Sequence, residues 1–229
     1  LAVAGTSVFA GGTFTSMGGV ERKSLAAINV NTGQPTSWNP ELNGEVYTLS
    51  LTGSLLYVGG NFSSIGLELR QSLAAIDITT GIASNWNPWC DGDVYAIVPS
   101  GSTIYVGGGF GGIGGQTRMM LAAIDANSGN ATAWNPTLDG AVYSLALSGS
   151  TLYVGGEFFT VGGATTRNML ASFDLTTGFL TSWNPNLDAM VSTVVVSGTT
   201  VYAGGDFSMV GTTARTCIAA IDASTGLAT

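Results

Sequence analysis

One block of residues returns at a fixed interval along the whole chain, and that periodicity constrains the fold more than any other feature. Phe9-Ala10-Gly11-Gly12 is followed by Tyr57-Val58-Gly59-Gly60, Tyr105-Val106-Gly107-Gly108, Tyr153-Val154-Gly155-Gly156 and Tyr202-Ala203-Gly204-Gly205, at spacings of 48, 48, 48 and 49. One residue inserted between Gly163 and Arg167 accounts for the longer last interval. Phe14, Phe62, Phe110, Phe158 and Phe207 keep register two positions after each glycine pair, and Trp38, Trp86, Trp134 and Trp183 each run into Asn-Pro. A fixed period of this length marks a repeat architecture, in which each unit buries its apolar face against its neighbours.

Within a unit the pattern reads as four short strands, for example 141–147, 151–158, 169–175 and 179–183, each rich in β-formers. Ser148-Gly149 and Thr177-Gly178 supply hairpin turns, and equivalents recur in every copy. Four antiparallel strands at this period predict an all-β fold, a five-bladed β-propeller of four-stranded blades with a period of about 48 residues. Turn glycines break every window that a helical solenoid needs, and a β-solenoid requires shorter rungs. The expected organisation is one domain over residues 1–229, with blades at 1–44, 45–92, 93–140, 141–189 and 190–229. Leu1 falls inside a strand pattern, so the sequence reads as a mature or excised segment, either a ring closed by apposed end blades or a piece of a longer array.

Composition removes several functional classes. Six Lys plus Arg stand against fourteen Asp plus Glu, and a net charge of -8 offers no broad attraction to phosphate backbones or anionic lipid. No apolar run is long enough for a membrane-spanning helix. Histidine is absent, which removes Ser-His chemistry and the commonest zinc ligand. Cys90 and Cys217 occupy different positions of the repeat and are expected as free thiols, Cys90 as a small buried hydrophobe in a slot that Leu42, Leu138 and Leu187 fill elsewhere.

The repeated polar residues are the candidates for chemistry, and each has a structural reading beside it. The Trp of Trp-Asn-Pro is placed to cover the junction between blades, where about 200 Å² of buried aromatic surface contributes roughly 5 kcal/mol at most. Asn29, Asp77, Asp125, Asp174 and Asp222 precede the Thr-Gly or Ser-Gly turns and are expected to cap them by accepting backbone N–H bonds; one carboxylate per turn is too few for calcium. Arg22, Arg70, Arg118, Arg167 and Arg215 recur before the third strand, on the same face as loops bearing Asn43, Asp91, Asp139 and Asp188. They read as ties to loop carbonyls or carboxylates, or as a multivalent face for an anionic or polyhydroxylated ligand. Trp89 has no aromatic counterpart and is the candidate contact aromatic. Glu45 and Asp93 form the only prospective carboxylate pair, with Ala141 and Met190 at the equivalent positions, so drift explains them better than hydrolase chemistry. Gly111 to Gly115 lack the helix and the Lys-Ser/Thr ending of a phosphate loop. Paired glycines are expected to mark close backbone approach or a bulge.

The ordered unit Tyr-Val-Gly-Gly-x-Phe, Gly-Gly, Arg, Leu-Ala-Ala-Ile-Asp, Thr-Gly, Trp-Asn-Pro resembles the secreted bacterial β-propeller repeats of unknown function called delta-sixty repeats, and is similar to propeller repeats of fungal cortical polarity markers. The resemblance spans the chain and implies an extracellular or cell-surface propeller used in adhesion or display, without a family-wide catalytic site. A looser likeness, carried by Ala75, Ile76, Asp77, Thr80, Gly81 and Trp86, runs to the tryptophan-docking repeats of quinoprotein dehydrogenases and concerns blade packing alone; no quinone is expected. The functional expectation is therefore a non-catalytic extracellular structural or interaction module with no catalytic residues, cofactor or metal. A lectin-like binder using Trp89 and the five arginines is the alternative, and a glycoside hydrolase or lyase ranks third. Expected partners are other protein chains or surface glycans, with homo-oligomers or fibres where a sheet edge stays open, and neither nucleic acid nor membrane insertion.

Overall fold

The computed structural model describes residues 1–229, which form strands, turns and loops without any helix. Each repeat contributes one antiparallel sheet and one detached two-stranded hairpin. In the second repeat the sheet is Glu45–Thr52, Leu55–Asn61 and Leu73–Asp77, with the middle strand bonded on both sides, and the hairpin is Ser64–Ile65 with Glu68–Leu69.

Two details correct the expected blade. The fourth strand is a regular strand only in the fourth repeat, where Phe179–Leu180 pairs with Leu170–Asp174. Elsewhere it shrinks to a single bridge, Ile28 to Pro35, Ile76 to Ala83, Ile124 to Ala131 and Ile221 to Ala228. Two backbone bonds flank each bridge, as Asp77 N–H to Ile82 O and Ser84 N–H to Ala75 O do in the second repeat. The small hairpin between the second and third strands was not anticipated; its two-residue strands carry no readable alternation.

The chain divides into two compact units. The first comprises Leu1–Tyr105, Phe110–Thr117 and Ala123–Thr132, and centres on a core that includes Phe9, Leu25, Trp38, Leu42, Val58, Phe62, Ile65 and Ile76. Here Asp93–Ser100 packs on the first two strands of the second repeat. The second comprises Val106–Gly109, Arg118–Ala122 and Ala133–Thr229, and centres on a core that includes Tyr153, Leu170, Trp183, Leu187, Val201 and Phe207. The third strand of the repeat is buried on both faces, as Leu73–Asp77 shows, which is why it reads as a continuous apolar run without alternation.

The paired glycines serve the two purposes expected of them. A Cβ on Gly59 would meet Val94 Cγ1 of the next repeat at 2.5 Å. A Cβ on Gly60 would collide with the backbone of Glu45 in its own sheet, beside a register shift between Val46 and Thr48. One glycine thus lets neighbouring sheets approach and the other accommodates a bulge.

Candidate functional site

The loops that join the second strand to the third, and the fourth to the next repeat, concentrate the repeated polar residues. Arg70 donates from one terminal nitrogen to Leu69 O and from the other to Ser84 O, both at 2.8 Å, and is 7% exposed. Arg167 does the same to Thr166 O and Thr181 O, Arg215 to Ala214 O and Thr229 O, and Arg22 to Glu21 O and Thr36 O. The planar fork therefore staples each small hairpin to the shortened fourth strand, fourteen residues away. Arg118, at the equivalent position, is also half-buried. Burial lowers the pKa of Arg167. Nε of Arg22, Arg70 and Arg167 is buried without a hydrogen-bond partner, so the two terminal nitrogens carry the tie.

The acidic and amide residues of these loops bond to backbone N–H groups. Asn43 Oδ1 accepts from Ser63 N and Ser64 N at 2.9 Å, Asp139 from Phe159 N and Thr160 N, and Asp188 from Ser208 N and Met209 N. Asp91 takes Gly111 N at 2.9 Å. Each tie joins the end of one repeat to the loop of the next. The Asp188 carboxyl is held below the usual range by the Ser208 hydroxyl and these N–H donors.

The turn caps behave as expected from sequence. Asp77 Oδ1 accepts from Thr79 N, Thr80 N and Thr80 Oγ1 at 2.8–3.0 Å, and the counterparts Asn29, Asp125, Asp174 and Asp222 accept local N–H bonds in the same way. Those donors lower the carboxyl pKa at Asp77, Asp125 and Asp174, and at Asp222, where the Ser224 hydroxyl contributes most, to about 2.

The Trp-Asn-Pro tryptophans cross to the following repeat. Trp38 Nε1 donates to Asp77 O at 3.1 Å, Trp86 to Asp125 O at 3.0 Å, and Trp183 to Asp222 O at 2.9 Å. Each of these rings meets an aromatic of its own repeat edge-on, Phe9, Tyr57 or Tyr153, at centroid distances of 5.0–5.1 Å. Their role is to lock neighbouring repeats.

Trp89 is different. It is 52% exposed and sits at a φ of 39°, in the left-handed region shared by Glu41, Thr137 and Asn186 at the same position of the repeat. Glu45 and Asp93 do not form a bare carboxylate pair, because Glu45 accepts from Tyr47 OH at 2.8 Å and Asp93 from Tyr95 OH at 3.1 Å, with the two phenol rings 5.5 Å apart. The Tyr47 phenol is raised, first by its bond to Glu45 and then by burial. No group of three or more His, Cys, Asp or Glu side chains is positioned to hold a metal ion. Both cysteines are free; Cys90 is fully buried, and burial pushes its thiol up to about 12, while Cys217 is exposed.

Sequence reasoning missed a second set of left-handed residues, Ser24, Ser72, Met120, Met169 and Cys217, two positions after each arginine. No glycine marks them, so only their constant offset from Arg was available as a signal. A strained residue held at one position in every repeat belongs to the scaffold of the Arg loop.

No family model and no curated protein matches the sequence. Among solved structures, the chain is similar to one in the crystal structure of a mitotic checkpoint complex, with a TM-score of 0.60 and 18% identity over 89% of this chain and 56% of that one. It is also similar to the computationally designed Ika8 protein, with a TM-score of 0.50 and 16% identity over 99% of this chain and 84% of that one. With the repeated antiparallel sheets, these likenesses identify a propeller-like all-β repeat fold.

Proposed function

We propose that this chain closes into a five-bladed ring and serves as a non-catalytic extracellular or cell-surface module for adhesion, display or assembly. The observation that carries this reading is where the repeated polar side chains spend their bonds. Arg22, Arg70, Arg167 and Arg215 go to backbone carbonyls, the loop Asx residues to backbone N–H groups, and the Trp nitrogens to carbonyls of the next repeat. Chemistry-bearing residues committed to a scaffold leave the variable loops to carry recognition. The extracellular setting follows from the resemblance of the repeat to secreted bacterial propellers.

Closure is tested by small-angle scattering: a compact single domain of this length has a radius of gyration of about 17 Å, and an open array exceeds it clearly. Function is tested by pairing a glycan array with a panel of glycoside substrates. The module reading expects no turnover, and turnover abolished in a Glu45→Gln, Asp93→Asn double variant would replace it with the hydrolase reading. A lectin-like role is favoured by the exposed ring of Trp89, and glycan binding lost in Trp89→Ala would establish it.

A further inference from the structure

We propose that the second repeat carries a docking site for an arginine side chain on an extended segment of a partner protein. The inference rests on the interaction-module reading and names the chemistry of its partner. A cavity of about 270 Å³ is lined by the small hairpin of this repeat, the loop before its first strand and the turn after its third. The lining combines apolar groups, Pro40, Ile65, Leu67 and Ile82, with two carboxylates, Glu41 and Glu68. Small-molecule sites occupy roughly 300–1,000 Å³, so this volume suits one side chain rather than a whole ligand.

Four of these six residues depart from the repeat. Leu67 stands where other copies have Gly19, Gly115, Gly163 and Thr212, and Ile82 where they have Gln34, Asn130, Phe179 and Leu227. Glu41 replaces Trp89, Thr137 and Asn186, and Glu68 replaces Val20, Gln116 and Thr213. Substitutions scattered by drift would fall anywhere on the repeat, whereas these four meet at one cavity. Leu67 is fully exposed and Ile82 is 66% exposed, so both aliphatic side chains offer their surface to an occupant. The backbone is that of the other repeats, since Glu41 shares the left-handed region with Thr137 and Asn186.

Charge and shape select the occupant. The guanidinium beneath this loop, Arg70, spends its terminal nitrogens on Leu69 O and Ser84 O and approaches Glu68 Oε2 at 3.6 Å, beyond hydrogen-bond length. Glu41 Oε1 accepts a long bond of 3.4 Å from Asn39 Nδ2. Both carboxylates therefore keep acceptor capacity for a donor that enters the cavity. An aliphatic stem for Pro40, Leu67 and Ile82, ending in a cation for Glu41 and Glu68, describes a lysine or an arginine. Arginine fits better, because its planar fork matches carboxylate oxygens in pairs. A net charge of -8 steers a basic segment toward the chain.

The test uses the whole chain and a fluorescently labelled peptide, Gly-Ser-Leu-Arg-Leu-Ser-Gly, read by anisotropy. Saturable one-to-one binding is expected, weakened about tenfold by Arg→norleucine in the peptide and about threefold by Arg→Lys. In the protein, Glu41→Thr and Leu67→Gly introduce the residues that Thr137 and Gly115 already supply at those positions. Each is expected to weaken binding roughly fivefold with an unchanged thermal melt. Should either melt fall, Ile82→Gln, the residue type of Gln34, replaces that variant under the same expectation. Absence of saturation at millimolar peptide overturns the proposal, as does equal binding of the norleucine peptide. Binding that salt abolishes and Leu67→Gly leaves unchanged also overturns it, by assigning the peptide to the negative charge of the whole surface. Glycoside turnover lost in the Glu45→Gln, Asp93→Asn double variant displaces the module reading while peptide saturation keeps this site; no turnover and no saturation does the reverse.

Discussion

The first and second repeats share the marker residues of the pattern, yet those of the second are more deeply buried than those of the first. Phe14 and Phe62 occupy one position, and so do Met17 and Ile65, but only Phe62 and Ile65 are fully buried. The residues that close the second repeat, Trp38 to Gly44, belong to the first. A repeat in this chain is therefore half of an interface, and its burial is decided by what precedes it.

Matched substitutions in the two repeats test that view. The largest difference is expected at the phenylalanines. Phe62→Ala removes a fully buried ring and costs about 3–5 kcal/mol, while Phe14→Ala, with its ring half-exposed, costs about half as much; equal losses in chemical denaturation would break the comparison. The second glycine of each pair comes next. A Cβ on Gly60 meets the backbone of Glu45, so Gly60→Ala costs about 1–3 kcal/mol by overpacking. A Cβ on Gly12 meets only the Phe14 ring, at 3.4 Å, so Gly12→Ala is nearly neutral. Thermal melts of the two variants separate these outcomes.

The arginines differ less. Arg70→Met leaves Leu69 O and Ser84 O without their donor and costs about 2 kcal/mol; Arg22→Met, in the more exposed loop, costs less by the same assay. The smallest effect is a pH dependence present in the second repeat and absent from the same turn of the first. Asp77, whose pKa the Thr80 and Thr79 donors lower, stabilises its turn above the unfolded-state pKa near 3.9, and that contribution disappears as pH falls through the folded value. The stability advantage of the wild-type chain over Asp77→Asn therefore shrinks as pH falls below the unfolded-state pKa. Asn29, the counterpart in the first repeat, has no such titration, and Asn29→Asp is expected to introduce one.

Much of the site was legible because its contacts are short in sequence. Asp77 reaches Thr79 and Thr80 within three residues, and the Thr-Gly turn announces itself. The Arg tie was partly legible: five arginines at one offset pointed to a shared loop role, but the choice between carbonyl and carboxylate partners required coordinates. The αL positions at Ser72 and Met120 gave no signal, since serine and methionine are not the residues such backbone usually selects. Trp89 was legible as an unrepeated aromatic, and the structure leaves it exposed.

The sequence by itself determined the period, the turns, the three main strands of each repeat and the capping residues, because these depend on propensity and on bonds between near neighbours in the chain. The tertiary structure decided that most fourth strands contract to one bridge and that the arginines end on carbonyls fourteen residues away. Those outcomes depend on which repeat packs against which. A periodic sequence writes the same marker residues into every repeat and does not show how each copy packs against the next.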